Sequence, residues 1–201
     1  MTLRAAVPLA AALMLAACAA PSTRPPAQVE TVDATGFTIT ENVRLGSDVR
    51  AQYDEAVRLL DQERYAEGIA LLEQVTTEAP NVTAPFINLG IAQSRAGRVE
   101  DAEASLKRAL ELSPRHPLAF NELGMLYRKT GRFAEARASY ERALELHPDF
   151  HYARLNLAIL CDIYLKDLDC ALENYQRYEA AVPDDEDAAM WIADVRNRAG
   201  R

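Results

Sequence analysis

The sequence predicts an all-α solenoid of four stacked helix pairs closed by a C-terminal capping helix, and three observations lead there. The stretch GRFAEARASYERALELHP, Gly131 to Pro148, nearly repeats GRVEDAEASLKRALELSP, Gly97 to Pro114, at a spacing of 34 residues. Pro80, Pro114 and Pro148 recur at the same 34-residue spacing, with Pro183 one residue late. Within a unit, apolar residues fall at i, i+3, i+4 and i+7, the period of a helix face and not of a strand. A fixed period of this length marks repeated supersecondary units, each too small to bury its own apolar face.

Taken in chain order, residues 1–17 belong to no fold. Arg4 precedes an apolar run, Ala5 to Ala17, which is too short to span a bilayer and has the form of a secretory signal. Its end, LAAC, Leu15 to Cys18, resembles the bacterial lipobox, in which cleavage precedes the cysteine and that cysteine carries lipid. Residues 18–48 hold the lipidated Cys18, a Pro/Ala-rich tether, AAPSTRPPAQ, and the stretch GFTITENV. Alternation of Phe37 and Ile39 predicts a short extended segment there, docked on the first repeat. In the lipoprotein family an aspartate after the cysteine favours inner-membrane retention. Here Ala19 follows, so the resemblance implies the outer membrane of a Gram-negative cell, with the chain facing the periplasm.

Four repeats follow, at 49–82, 83–116, 117–150 and 151–185. The second carries Phe86, Leu89, Gly90, Ala102, Leu106, Ala109 and Pro114; the third carries Phe120, Leu123, Gly124, Tyr127, Ala136, Tyr140, Ala143 and Pro148. These anchors and the period resemble the tetratricopeptide repeat. The first repeat is degenerate, keeping Ala56, Gly68, Leu72 and Pro80 but placing Glu55 where leucine is expected. The fourth has Leu157, Ala158, Ala171, Tyr175 and Pro183, with Arg154 in place of the usual aromatic and one extra residue assigned to its inner turn. Gly90 and Ala102 are small, as a close helix crossing requires. Residues 186–199 form the cap: Ala188, Trp191, Ile192 and Val195 share one face and Asp194, Arg196 and Arg198 the other, so Trp191 seals the last repeat.

Composition excludes several functions. With 22 basic and 30 acidic residues the net charge is −8, which argues against nucleic acid and against electrostatic adhesion to anionic lipid. The lipid on Cys18 is the expected membrane attachment. The sequence holds no metalloprotease HExxH, no GxSxG nucleophile turn and no phosphate-binding GxxxxGK[ST] loop. His147 and His151 stand four apart, but Pro148 between them breaks the helix that would align them on a metal. No catalytic residue, metal or cofactor is expected.

Cys161 and Cys170 remain once Cys18 is lipidated. They sit on the two antiparallel helices of the fourth repeat, at positions that bring their Cα atoms within bridging range in a compartment where disulfides persist. The first helix of each repeat also carries a second apolar set. In the tetratricopeptide family the positions just after the conserved glycine and three before it line the concave surface. Ile91, Met125 and Ile159, with Ile87, Asn121 and Leu155, match those positions. Leu118 and Tyr152 belong to the same faces, and Arg95, Arg128 and Lys129 add a basic cluster. The resemblance therefore implies a groove for an envelope protein or peptide segment, an amphipathic helix or extended strand whose acidic group meets Arg128 and Lys129. The pattern departs from the family's carboxylate clamp, since Leu118 and Glu122 stand where basic residues are expected. Lipoproteins of this build include pilotins for type IV pilus secretins, Tad-type pilus assembly lipoproteins and adaptors for peptidoglycan hydrolases, and related proteins accompany TonB-type transport. The alternative class is an envelope enzyme or small-ligand carrier, which needs a closed pocket with convergent polar groups.

Overall fold

The computed structural model describes residues 28–32, 38–42 and 45–200. The predicted signal 1–17, Cys18 and most of the tether lie outside the described residues. The chain runs through β1 (Gln28–Val32), β2 (Thr38–Asn42), α1 (Ser47–Asp61), α2 (Tyr65–Glu78), α3 (Thr83–Arg95) and α4 (Val99–Leu112). It continues through α5 (Pro117–Lys129), α6 (Phe133–Leu146), α7 (His151–Ile159), a π-helical stretch (Leu160–Leu165), α8 (Leu168–Ala181) and α9 (Glu186–Arg198). Among the described residues no helix is long and apolar enough to cross a membrane.

Each pair closes through one small residue. A Cβ added at Gly90 would stand 2.6 Å from Leu106 Cγ, and one at Gly124 would stand 2.5 Å from Tyr140 Cε1. Any side chain there would wedge the pair apart. The paired helices bury Leu72, Leu106, Tyr140 and Ala171 completely. Successive pairs then lean on one another, α2 on α3, α4 on α5 and α6 on α7, and α9 covers α8. Trp191 packs its ring 5.5 Å from that of Tyr175 and 6.4 Å from that of Tyr178, centroid to centroid, which closes the end of the stack.

The turns explain the period. Gly97 and Gly131 take φ of 80° and 77°, the left-handed conformation that glycine reaches without steric cost. They let Arg98 N and Arg132 N donate back to Gln93 O and Tyr127 O, each at 2.8 Å, which caps the preceding helix. Glu63 and Lys166 occupy the same site in repeats one and four at φ of 59° and 56°. The fourth repeat thus keeps the ordinary turn residue, which corrects the placing of its extra residue in the turn. The helix itself absorbs the insertion: Leu160–Leu165 winds as a π-helix, and Asp167 N reaches Cys161 O at 2.9 Å, one residue farther back than in the other repeats.

Residues near GFTITENV also differ from expectation. Thr38–Asn42 is not a lone extended segment but pairs antiparallel with Gln28–Val32, Thr40 opposite Glu30. The most extensive contact between the described hairpin residues and the helices runs from β1 to α3, the helix that opens the second repeat.

Charged side chains tie the units together. Glu103 of α4 accepts from Arg132 at 2.5 Å and from the Tyr127 hydroxyl at 3.1 Å, and pairs with Lys107 at 2.7 Å. Arg132 also lies over the Tyr127 ring, 4.1 Å from its centroid. The Arg132 hydrogen bonds, above all, hold the Glu103 carboxyl down from the usual 4.5 to about 2. A depressed carboxylate pKa stabilises the fold above the unfolded value and loses that effect as pH falls toward the folded one. Glu103→Gln is therefore expected to lower stability by about 1 to 2 kcal/mol at pH 7, after allowing for solvent screening. Thermal melts across pH should show the difference shrinking between pH 4.5 and about 2. An equal deficit at pH 2 and pH 7 would refute this role.

Candidate partner-binding surface

The first helices of successive repeats touch one another, α1 with α3 and α3 with α5. An asparagine contact extends the series to α7, Asn156 Nδ2 donating to Asn121 Oδ1 at 3.0 Å. These helices form the inner layer, and the open face of the solenoid is theirs.

Part of the expected groove is consumed in building that layer. Ile87 is fully buried, Leu118 is 7% exposed and Asn121 3%, so none of the three presents a surface to a partner. Ile87 and Leu118 join the core that spans the second to fourth repeats. Asn121 bonds Asn156 and donates to Glu122 Oε1 at 3.0 Å. In the second and third repeats the adjacent first helices approach closely enough that the position three before the glycine, Ile87 and Asn121, meets the neighbouring repeat instead of solvent.

The other predicted residues stay accessible. Ile91, Met125, Leu155 and Ile159 are half-buried and Tyr152 is 37% exposed. Arg95, Met125, Arg128 and Lys129 converge on one cleft of about 340 Å³, together with Ser94 and Tyr164. Lys129 Nζ donates to the Ser94 carbonyl at 2.9 Å, which fixes the lysine across the α3–α5 seam. Arg128 also acts on the Tyr140 hydroxyl: burial raises the pKa of that phenol and the Arg128 charge opposes the rise. Among the described residues no carboxylate lines the cleft.

Tyr164 is the residue that sequence reasoning missed. It stands 44% exposed on the π-helical stretch with its ring 4.9 Å from that of Phe133. The one available signal was the late Pro183, which showed that a residue had been added without showing which side chain it would turn toward the cleft.

Cys161 and Cys170 have Cα atoms 5.9 Å apart and sulfurs 2.03 Å apart. With Asp167 they form the one group of potential metal ligands found among the described residues. That set does not suit a metal: the sulfurs engage each other, and Asp167 accepts from Cys170 N at 3.1 Å and from Arg137 at 3.3 Å. His147 ends α6 and His151 opens α7, with Pro148 between.

A row of helix pairs with an open, cation-lined inner face defines a helical-repeat scaffold for protein–protein interaction. The family model for the Tetratricopeptide repeat matches residues 53–117, 87–149 and 121–162, more than half of the chain, and the protein belongs to that family. Solved structures agree on the fold. MamA, residues 41 to the end, from Desulfovibrio magneticus RS-1 shares 19% identity at a TM-score of 0.67, over 77% of this chain and 87% of that one. The thermophilic tetratricopeptide repeat protein TTC0263 of Thermus thermophilus shares 24% at 0.65, covering 74% and 81%. Pseudomonas aeruginosa pilF shares 16% at 0.69, covering 75% and 68%. No curated protein matches the chain.

Proposed function

We propose that the protein is a lipid-anchored scaffold of the outer membrane, facing the periplasm, that captures a segment of an envelope protein on its inner face. The carrying observation is the cleft where Arg95, Arg128 and Lys129 meet with no carboxylate among the described lining residues, on a chain of net charge −8. An amphipathic helix or extended peptide lays apolar side chains along Ile91, Met125, Tyr152 and Ile159 and sets an acidic group against Arg128 and Lys129. Ile87, Leu118 and Asn121 support this face from behind. The machine so served assembles pili or secretins, couples TonB-type transport or adapts a peptidoglycan hydrolase.

Capture of the partner from detergent-solubilised envelopes tests the surface. Met125→Glu and Arg128→Glu are each expected to weaken capture by about 1 to 3 kcal/mol, as hot-spot residues do, while the helical circular dichroism signal and melting temperature stay at wild type. Wild-type capture by both variants would remove the inner face as the site.

The anchor rests on LAAC and the tether that follows. Cys18→Ala is expected to leave the precursor uncleaved and to abolish labelling by radioactive palmitate, and undiminished labelling would overturn the assignment. In the oxidising periplasm Cys161 and Cys170 form a disulfide, and closing so short a loop contributes about 2 to 3 kcal/mol. Thiol titration of denatured, unreduced protein should find neither sulfur free; two titratable thiols besides Cys18 would reject the bond.

A further inference from the structure

The fourth repeat departs from its neighbours at a second place, between the start of α7 and the end of α8. Arg108, Arg142 and Arg177 recur at matching positions of the second helices. In the second repeat Arg108 lies over the Phe86 ring, 5.9 Å from its centroid, and donates to the Pro80 carbonyl at 3.3 Å. The position of Phe86 is held by Phe120 in the third repeat and by Arg154 in the fourth. Arg154 Nη2 donates to the Pro148 carbonyl at 2.6 Å, the counterpart of Pro80. Arg177 is left with Glu173, one turn back on its own helix at 2.8 Å, in a pair exposed to about 60%. A ring that would accept a guanidinium has been replaced by a second guanidinium.

Both arginines line a cleft of about 270 Å³ with His151 and Asp149, and Pro148, Ala180 and Ala181 supply an apolar rim. Arg154 is half-buried and makes no ion pair among the described residues. Burial, and then the Arg177 charge, lower its pKa, with Glu173 and Asp149 partly opposing. A half-buried guanidinium beside a second cation, with no carboxylate bonded to it among the described residues, is unfavourably placed until a counter-charge joins it. The α7 N-terminus at the cleft adds the positive end of its dipole, and its cap, Phe150, offers no side-chain acceptor to the first amides.

We propose that this cleft binds a phosphate group, gripped from two sides by Arg154 and Arg177, with His151 at its edge. One guanidinium fork satisfies the two oxygens of a carboxylate, whereas a phosphate keeps a further oxygen for a second fork. The apolar rim admits the glycerol or carbon skeleton attached to it. The group belongs either to a lipid headgroup or to a soluble phosphate compound. The site lies apart from the inner cleft and does not depend on a partner binding there.

The test is titration of the full chain with inorganic phosphate, followed by ³¹P NMR and by the amide shifts of α7 and α8. Saturable binding is expected, at least tenfold weaker in Arg154→Phe and in Arg177→Gln. Arg154→Phe restores the aromatic of the second and third repeats, so its melting temperature should hold or rise, which separates lost binding from lost folding. Wild-type phosphate affinity in Arg154→Phe would overturn the proposal, as would an equal response to acetate at the same ionic strength. Tighter binding of monomeric dihexanoyl phosphatidic acid than of phosphate assigns a headgroup; the reverse order assigns a soluble compound.

Discussion

The structure depends on the closeness of two helices within each unit. At Gly124 there is no room even for a methyl group, because the Tyr140 ring already occupies the space 2.5 Å from where it would sit. That contact fixes the separation and crossing of α5 and α6, and Gly90 against Leu106 does the same for α3 and α4. Once each pair is rigid, its outer faces become the template for the next pair, and repetition of one local contact generates the inner layer and its cleft. The fourth repeat achieves the approach with Ala158 and Ala171, both fully buried.

Much of this was legible because it is periodic. Phe86 and Phe120, Gly97 and Gly131, Ala102 and Ala136 declare the helices, the turns and the close crossing at one spacing. The site was legible to the extent that residues share a helix face: Met125, Arg128 and Lys129 meet because they stand within one turn of each other, and Arg95 because it ends the preceding first helix. What remained hidden depended on tilt and on hydrogen-bond competition. The burial of Ile87 and Asn121 follows from how closely adjacent first helices lie, and Asn121 tolerates it because Asn156, 35 residues away, and the adjacent Glu122 both bond its amide. The insertion in the fourth repeat has the same character. Spacing shows that a residue was added between two anchors, but only the turn at Lys166 decides that the helix must widen to take it.

Electrostatics runs as a second thread through the stack. Arg98 reaches back to Glu73, Arg132 to Glu103, and Arg137 forward to Asp167. At the end, Arg198 of α9 bonds Asp162 at 2.5 Å, and the Tyr175 hydroxyl meets the same carboxylate at 3.4 Å. Asp162 is 5% exposed, so this carboxylate is held inside by two partners that the capping helix and α8 provide together. Exposed pairs of this kind contribute little singly, but a buried one is costly to break because it leaves an uncompensated charge. The cap is thereby joined to the π-helical stretch as well as to α8, and the segment that carries Tyr164 is braced from behind.

The apolar interior is divided. Tyr53, Ala56, Ile69, Leu72 and Val75 form one core with Leu89 and Ala92, while a second core begins at Ile87 and runs to Val195. The helix α3 belongs to both, with its two faces turned to different interiors. Under tension such a chain is a spring of two stiffnesses in series. The first helix pair, held by the smaller core and without a capping helix among the described residues, would yield before the rest. A load applied through the N-terminal segment would lengthen that pair before it reached the cation-lined cleft, so the molecule can stretch with its inner face intact.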